Sequence, residues 1–239
     1  MKRIILIMLL CLSGIAYAQQ QDATPTNEAA YSLGLKVGYA HNLTYGSYAN
    51  FDIDAYMPIH RYFEMEANVR TSTVNAYALG VQLRPKFVLP VGELYLEDQL
   101  MANLQVRERF RTYTHALTLG YRMQYVDVQL GFCSRFMESP ATSHDVEKTM
   151  VVEPLDMVYR IEARVRPATS PWNISMAMAN IDNYQIERMW QPMFYLAGWY
   201  DIQPDWRVSL QGKVKPAGVF HLNTHYYGSE ISAGVEYRF

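Results

Sequence analysis

The sequence predicts an all-β fold: a single transmembrane, antiparallel, up-and-down β-barrel of about twelve strands, with ten and fourteen as the neighbouring counts. Three observations lead there. Apolar and polar residues alternate with period two from residue 31 to the end. The chain opens with an export signal, and no apolar run of membrane-helix length follows it. It carries 19 Tyr, 9 Phe and 4 Trp, an aromatic load suited to a membrane-facing wall. In lipid every backbone polar group must be paired within the protein, which leaves helices and closed barrels as spanning structures.

The first element is a secretory signal peptide. Lys2 and Arg3 precede an apolar run from Ile4 to Leu12, and small residues lead to Ala16-Tyr17-Ala18, an A-x-A cleavage site. Ser13 and Gly14 break the run well short of the roughly 20 apolar residues of a spanning helix. Cys11 reads poorly as a lipid anchor, because Leu10 stands where a small residue belongs. The chain therefore divides into a signal peptide over 1–18, a flexible periplasmic leader over 19–30 and a barrel over 31–239. Cleavage leaves one cysteine, Cys133, so no internal disulfide forms. Losing Lys2 and Arg3 from 21 basic residues, against 23 acidic ones, gives a formal charge of −4. With no basic block in the chain, nucleic acid is set aside as a partner.

Twelve segments alternate: about 31–40, 50–58, 61–70, 75–87, 93–106, 110–123, 125–136, 153–167, 171–181, 191–200, 205–216 and 229–239. The clearest sets Trp206, Val208, Leu210, Gly212 and Val214 against Arg207, Ser209, Gln211, Lys213 and Lys215. Another sets Met157, Tyr159, Ile161, Ala163 and Val165 against Arg160, Glu162, Arg164 and Arg166. A third places Leu94, Leu96, Leu100, Ala102 and Leu104 on one face, with Asp98 as its exception. Many of these runs reach the 9–11 residues that a tilted bilayer crossing requires. Short turn-rich links at 57–60, 89–92, 123–125, 167–171 and 201–205 alternate with longer ones at 41–49, 137–152, 182–190 and 217–228. That asymmetry, with an even strand count, puts both termini in the periplasm. The links at 71–74 and 107–109 are shorter than the pattern asks.

The last strand, Ile231-Ser-Ala-Gly-Val-Glu-Tyr-Arg-Phe239, puts Ile231, Ala233, Val235, Tyr237 and Phe239 on one face. It resembles the carboxy-terminal signal that the bacterial barrel-assembly machinery reads, with Tyr237 and Phe239 as its aromatic residues. Together with the signal peptide, the pattern resembles the small, uncharacterised outer-membrane barrels of Gram-negative bacteria. The resemblance implies residence in the outer membrane, with the assembly machinery and outer-membrane lipid as partners.

Alternation then sorts the side chains. The aromatic residues at strand ends read as interfacial girdles. The opposite face is charged, and each charge would cost about 2–4 kcal/mol if turned to the hydrocarbon midplane, so these residues line a lumen. Glu64, Glu66, Arg84, Glu97, Arg122, Arg160, Glu162, Arg164, Arg207 and Lys213 are the lumen-lining candidates. Basic residues outnumber acidic ones on that face. Two functions fit: a narrow channel for small polar or anionic solutes, or a closed barrel laced by ion pairs. A third is a surface-binding barrel acting through the loops 41–49, 137–152 and 217–228.

Catalysis finds little support in the residues. There is no G-x-S-x-G elbow, and no Ser and His stand at a recognisable sequence spacing. Asp52 and Asp54 share a lumen face, where salt-bridge roles are the simpler reading. His221 and His225 share a face of an external segment and form a weak metal candidate. Cys133 has no adjacent His to activate it. A non-enzymatic barrel without a cofactor is the expectation, with an outer-membrane hydrolase as the remote alternative.

Overall fold

The structure is a computed structural model, and it describes residues 31–105, 111–139, 149–165, 171–217 and 225–239. Twelve strands form it: β1 Ser32–Asn42, β2 Gly46–His60, β3 Phe63–Ser72, β4 Asn75–Leu89, β5 Gly92–Gln105 and β6 Arg111–Arg122, followed by β7 Val126–Ser139, β8 Thr149–Val165, β9 Trp172–Ala179, β10 Met193–Gln203, β11 Trp206–Ala217 and β12 His225–Arg238. Each pairs antiparallel with its sequence neighbours, and β1 closes on β12 from Ser32↔Arg238 to Asn42↔Gly228. Closure removes the free first and last edges that an open sheet would present to lipid.

The polarity is the reverse of a soluble barrel. Val37, Phe132 and Leu210 point outward at 61, 59 and 57 % exposure, while Glu97, Gln99 and Glu162 point inward at 6, 2 and 3 %. A lipocalin-like fold would bury the first set and wet the second. The period-two signal survives because each strand separates hydrocarbon from a polar interior.

The expected connections differ in detail. The segment 41–49 contracts to a turn over 43–45, because β1 and β2 stay paired out to Asn42↔Gly46. The chain does not turn at Met57: β2 runs on to His60 through a bulge between Pro58 and His60, and the turn is Arg61–Tyr62. The short link near 71–74 is a two-residue connection from Ser72 to Asn75. Gly92 takes a φ of 110° at the β4–β5 turn, where a side chain would press on the Arg122 carbonyl. Residues 1–30, 107–109 and 140–148 lie outside the described residues, so the leader and those loops carry no structural account.

One connection reorganises the interior. Residues 180–192, between β9 and β10, turn into the barrel at the end opposite the termini. Ile181, Tyr184 and Ile186 are buried there. Ile181 and Ile186 share an apolar cluster with Met101, Ala116, Cys133 and Val158, inward-facing residues of β5 to β8. Burying each isoleucine contributes about 1.5–3 kcal/mol, so the segment is anchored as a plug.

Candidate functional site

The candidate site is the lumen, built from inward positions of nearly every strand and capped by the plug. Below the plug lies a chamber of about 320 Å³, continued toward the termini by a vestibule of about 550 Å³. The two share Lys36, Asp54, Glu66 and Trp199 in their walls. Arg207 and Arg238 line the vestibule, and Arg160, Arg164 and Arg122 line the chamber.

Ion-pair networks hold the walls. On β2, β3 and β12, Arg70 donates to both oxygens of Asp52 at 2.7 Å and to Glu230 at 2.6 and 3.2 Å. Glu230 also accepts from Lys213 at 2.8 Å. Across β3 to β7, Arg84 bridges Glu97 and Glu66, Lys86 meets Glu64, and Arg122 reaches Asp127 at 2.9 Å. Tyr95 donates to Asp127 at 2.6 Å, and Gln129 donates to Glu97 at 2.7 Å. On β8, Arg160 and Arg164 both hold Glu162 at 2.7 Å. At the terminal rim Arg207 and Arg238 converge on Asp201 at 2.7 and 3.0 Å.

Around Glu162 and Asp127 the two signs are exposed unequally, whereas at the terminal rim and the plug the carboxylates are the more exposed partners. The Glu162 side chain is 4 % exposed, while its partners Arg160 and Arg164 are 34 and 39 % exposed. Asp127 is likewise buried beneath Arg122 and Arg164, and Lys36 is more exposed than its partner Asp54. Strand geometry explains the layering. Short carboxylates stay at the wall, whereas long arginines reach inward with their heads at the solvent surface.

The plug is bound to this wall through both its backbone and its side chains. Gln99 donates to the Asp182 carbonyl at 2.8 Å, Asn103 to that of Tyr184 at 2.7 Å, and Arg135 to that of Ile186 at 2.6 Å. Gln82 donates to the Asn183 side chain at 2.9 Å. Gly80 permits the approach, since a Cβ there would collide with the Asn183 carbonyl oxygen. Lys213 pairs with Asp182 at 3.2 Å, and Lys215 reaches Gln185 at 2.5 Å and Glu187 at 3.5 Å. Burial opposes the Asp182 charge, but Lys213 and Lys215 beside it hold its carboxyl below the usual range. The Arg70 guanidinium lies 4.4 Å from the centre of the Tyr184 ring.

The structure brings together Glu66, Arg84, Glu97, Arg122, Arg160, Glu162, Arg164 and Lys213 around the chamber. Glu64 sits behind them against Lys86 and Arg122, and Arg207 stands apart in the vestibule. Asp52 and Asp54 serve as ion-pair partners of Arg70 and Lys36. His221 lies outside the described residues, and so does the His225 side chain. Tyr237 packs on the outer wall between Trp206 and Phe239, with ring centres 4.9 and 5.0 Å away.

The face assignment missed acidic residues. Glu230 has the same parity as Glu236 and was legible by alternation. Asp182 and Glu187 arrive with the plug, and Asp201 closes the rim. These additions remove most of the basic excess expected of the lumen. What remains is the difference in exposure.

No protein-family model matches the sequence, and no curated protein does. Solved structures do match. The translocator domain of the autotransporter NalP from Neisseria meningitidis aligns over 96 % of this chain and 96 % of its own, at 11 % identity and a TM-score of 0.56. The COG4313 outer membrane channel from Pseudomonas putida F1 aligns over 91 % of this chain and 100 % of its own, at 9 % identity and a TM-score of 0.54. The KdgM porin, solved in complex with disordered oligogalacturonate, aligns over 87 % of this chain and 99 % of its own, at 11 % identity and a TM-score of 0.51. The fold is that of the bacterial outer-membrane β-barrels.

Proposed function

We propose that this chain is a narrow outer-membrane channel for small polar solutes, with a mild preference for anions. Its termini face the periplasm, and its plug closes the external end until displaced. The observation that carries the reading is the unequal exposure of the Arg160–Glu162–Arg164 group in the chamber wall. A solute in the chamber meets Arg160 and Arg164 before it meets the Glu162 that neutralises them. Partly exposed cations over a buried carboxylate favour anions without binding them tightly, as conduction requires. Two likenesses are consistent with transport: an outer membrane channel and a porin in complex with disordered oligogalacturonate share the fold. The lumen chemistry of this reading is permeation, not catalysis.

A second reading, a closed structural barrel, draws on the same dense pairing. Conductance separates the two. Refolded protein in a planar bilayer, recorded across a KCl gradient, is expected to show small openings whose reversal potential favours chloride. Replacing both Arg160 and Arg164 by Gln is expected to remove that preference while the barrel still folds. A reversal potential favouring potassium in the wild type overturns the anion reading.

A further inference from the structure

The outer wall departs from its apolar character at one place below the rim. Asp98 of β5 faces outward between Leu96 and Leu100, and its Oδ1 lies 2.7 Å from Nε2 of His115 on β6. Ser134 of β7 is the direct cross-strand partner of His115. A carboxylate, an imidazole and a hydroxyl thus occupy successive strands, in that order, on one face. Among the described residues, the other outward carboxylate of the strands is Glu138, which meets Arg111 at 3.9 Å at the loop-end rim.

The cross-strand rungs of β6 and β7 give the depth of this group. From the rim inward they run Arg111↔Glu138, Tyr113↔Phe136, His115↔Ser134, Leu117↔Phe132 and Leu119↔Leu130. The polar rung lies directly beneath an aromatic rung and directly above the hydrocarbon rungs. Aromatic girdles mark the interface, so His115 and Ser134 stand at the level of the acyl ester linkages of lipid. A carboxylate and an imidazole turned to that surface are costly, and such residues in membranes mark function.

A separate irregularity singles out the serine. On its β8 side the ladder skips Ser134: Cys133 pairs with Asp156 and Arg135 with Glu153. Ser134 therefore opposes two residues of β8, a bulge whose extra residue lies on β8 and interrupts the ladder beside the serine.

We propose that Ser134, His115 and Asp98 form a serine-hydrolase site on the lipid-facing wall, acting on acyl esters of membrane lipid. Cross-strand partners on one face have Cβ atoms about 4.5–5.5 Å apart, so a rotation of Ser134 brings its Oγ to His115. Asp98 occupies Nε2, leaves Nδ1 for the serine, and fixes the ring as the third member of such a triad does. Ser134 Oγ attacks the ester carbonyl carbon as Nδ1 takes its proton. The C–O bond to the alcohol breaks, and His115 gives that proton to the departing lysolipid. Water, deprotonated by His115, then cleaves the acyl-serine, releasing the fatty acid and restoring Ser134. Ser134 and His115 are the catalytic residues, and Asp98 is a positioning residue. The site does not depend on the channel reading, since it shares no residue with the lumen.

The test uses the full refolded protein with dilauroylphosphatidylcholine in mixed detergent micelles. The wild type is expected to release fatty acid, and Ser134→Ala and His115→Gln are each expected to lose at least about a hundredfold in rate. Asp98→Asn is expected to lower kcat at unchanged KM. A fluorophosphonate probe is expected to label wild-type Ser134, read by mass spectrometry, which needs no variant to fold. Fatty-acid release equal in wild type and Ser134→Ala, or an unlabelled Ser134 in folded wild type, overturns the proposal.

Discussion

Arg70 stacks on Tyr184, with its guanidinium carbon 4.4 Å from the ring centre, and this contact ties the plug to the barrel wall. The same guanidinium is clamped by Asp52 and Glu230, so the platform under the ring is fixed before the plug arrives. Desolvated cation–π contacts contribute about 2 kcal/mol. Tyr184→Ala is therefore expected to raise the open probability of the channel about tenfold or more, since 1.4 kcal/mol is a factor of ten. Single-channel recording checks it, and heat-modifiable migration on gels is expected to be unchanged.

Acid is expected to open the plug. When the plug is docked, Lys213 and Lys215 hold the Asp182 carboxyl below its usual range. When it is displaced, the carboxyl returns to about 3.9. A depressed docked value stabilises docking above the undocked pKa, and that contribution is lost as pH falls through the docked one. Conductance is therefore expected to rise below about pH 4, the ordinary Asp value. Asp182→Asn is expected to remove that rise, read by recording both proteins over the same pH series.

Glu162→Gln leaves Arg160 and Arg164 without their shared counterion. Breaking a fully buried pair costs about 3–5 kcal/mol, but these arginines are a third exposed, which reduces the loss to about 1–2 kcal/mol. The barrel is expected to fold with a modestly lower urea midpoint. Its chloride preference is expected to increase, as measured by reversal potential.

How much of this was legible in the sequence varies by element. The strands were, because lipid and lumen impose opposite polarities on alternate residues for the whole length of each. Connection lengths were not. Whether Asn42 still pairs with Gly46 depends on the partner strand, and the polar composition of 41–49 does not record it. The lumen wall was readable by parity, but the plug was not. Gln82, Gln99 and Asn103 look like any lumen residues until the backbone they serve is in place. A local signal was Ile181 and Ile186, two isoleucines bracketing Asp182, Asn183 and Gln185. Asp98 stood out as an exception to its strand, yet its partner His115 became visible only through the β5–β6 register.

The carboxy-terminus makes its own prediction. Phe239 is 71 % exposed on the outer wall and packs edge-on against Tyr237. It contributes little to the folded barrel, so deleting it is expected to lower assembly in cells while leaving refolding in detergent nearly unchanged. Pulse-labelled outer-membrane fractions measure the first, and gel mobility measures the second.

On the channel reading the plug, rather than the charged wall, closes this barrel. Replacing residues 182–189 by a short Gly-Ser link and recording the refolded protein in a planar bilayer tests it most directly. A stable open conductance several times that of the wild type, with chloride still preferred, is the expected result. A folded, plugless barrel that passes no current would contradict it.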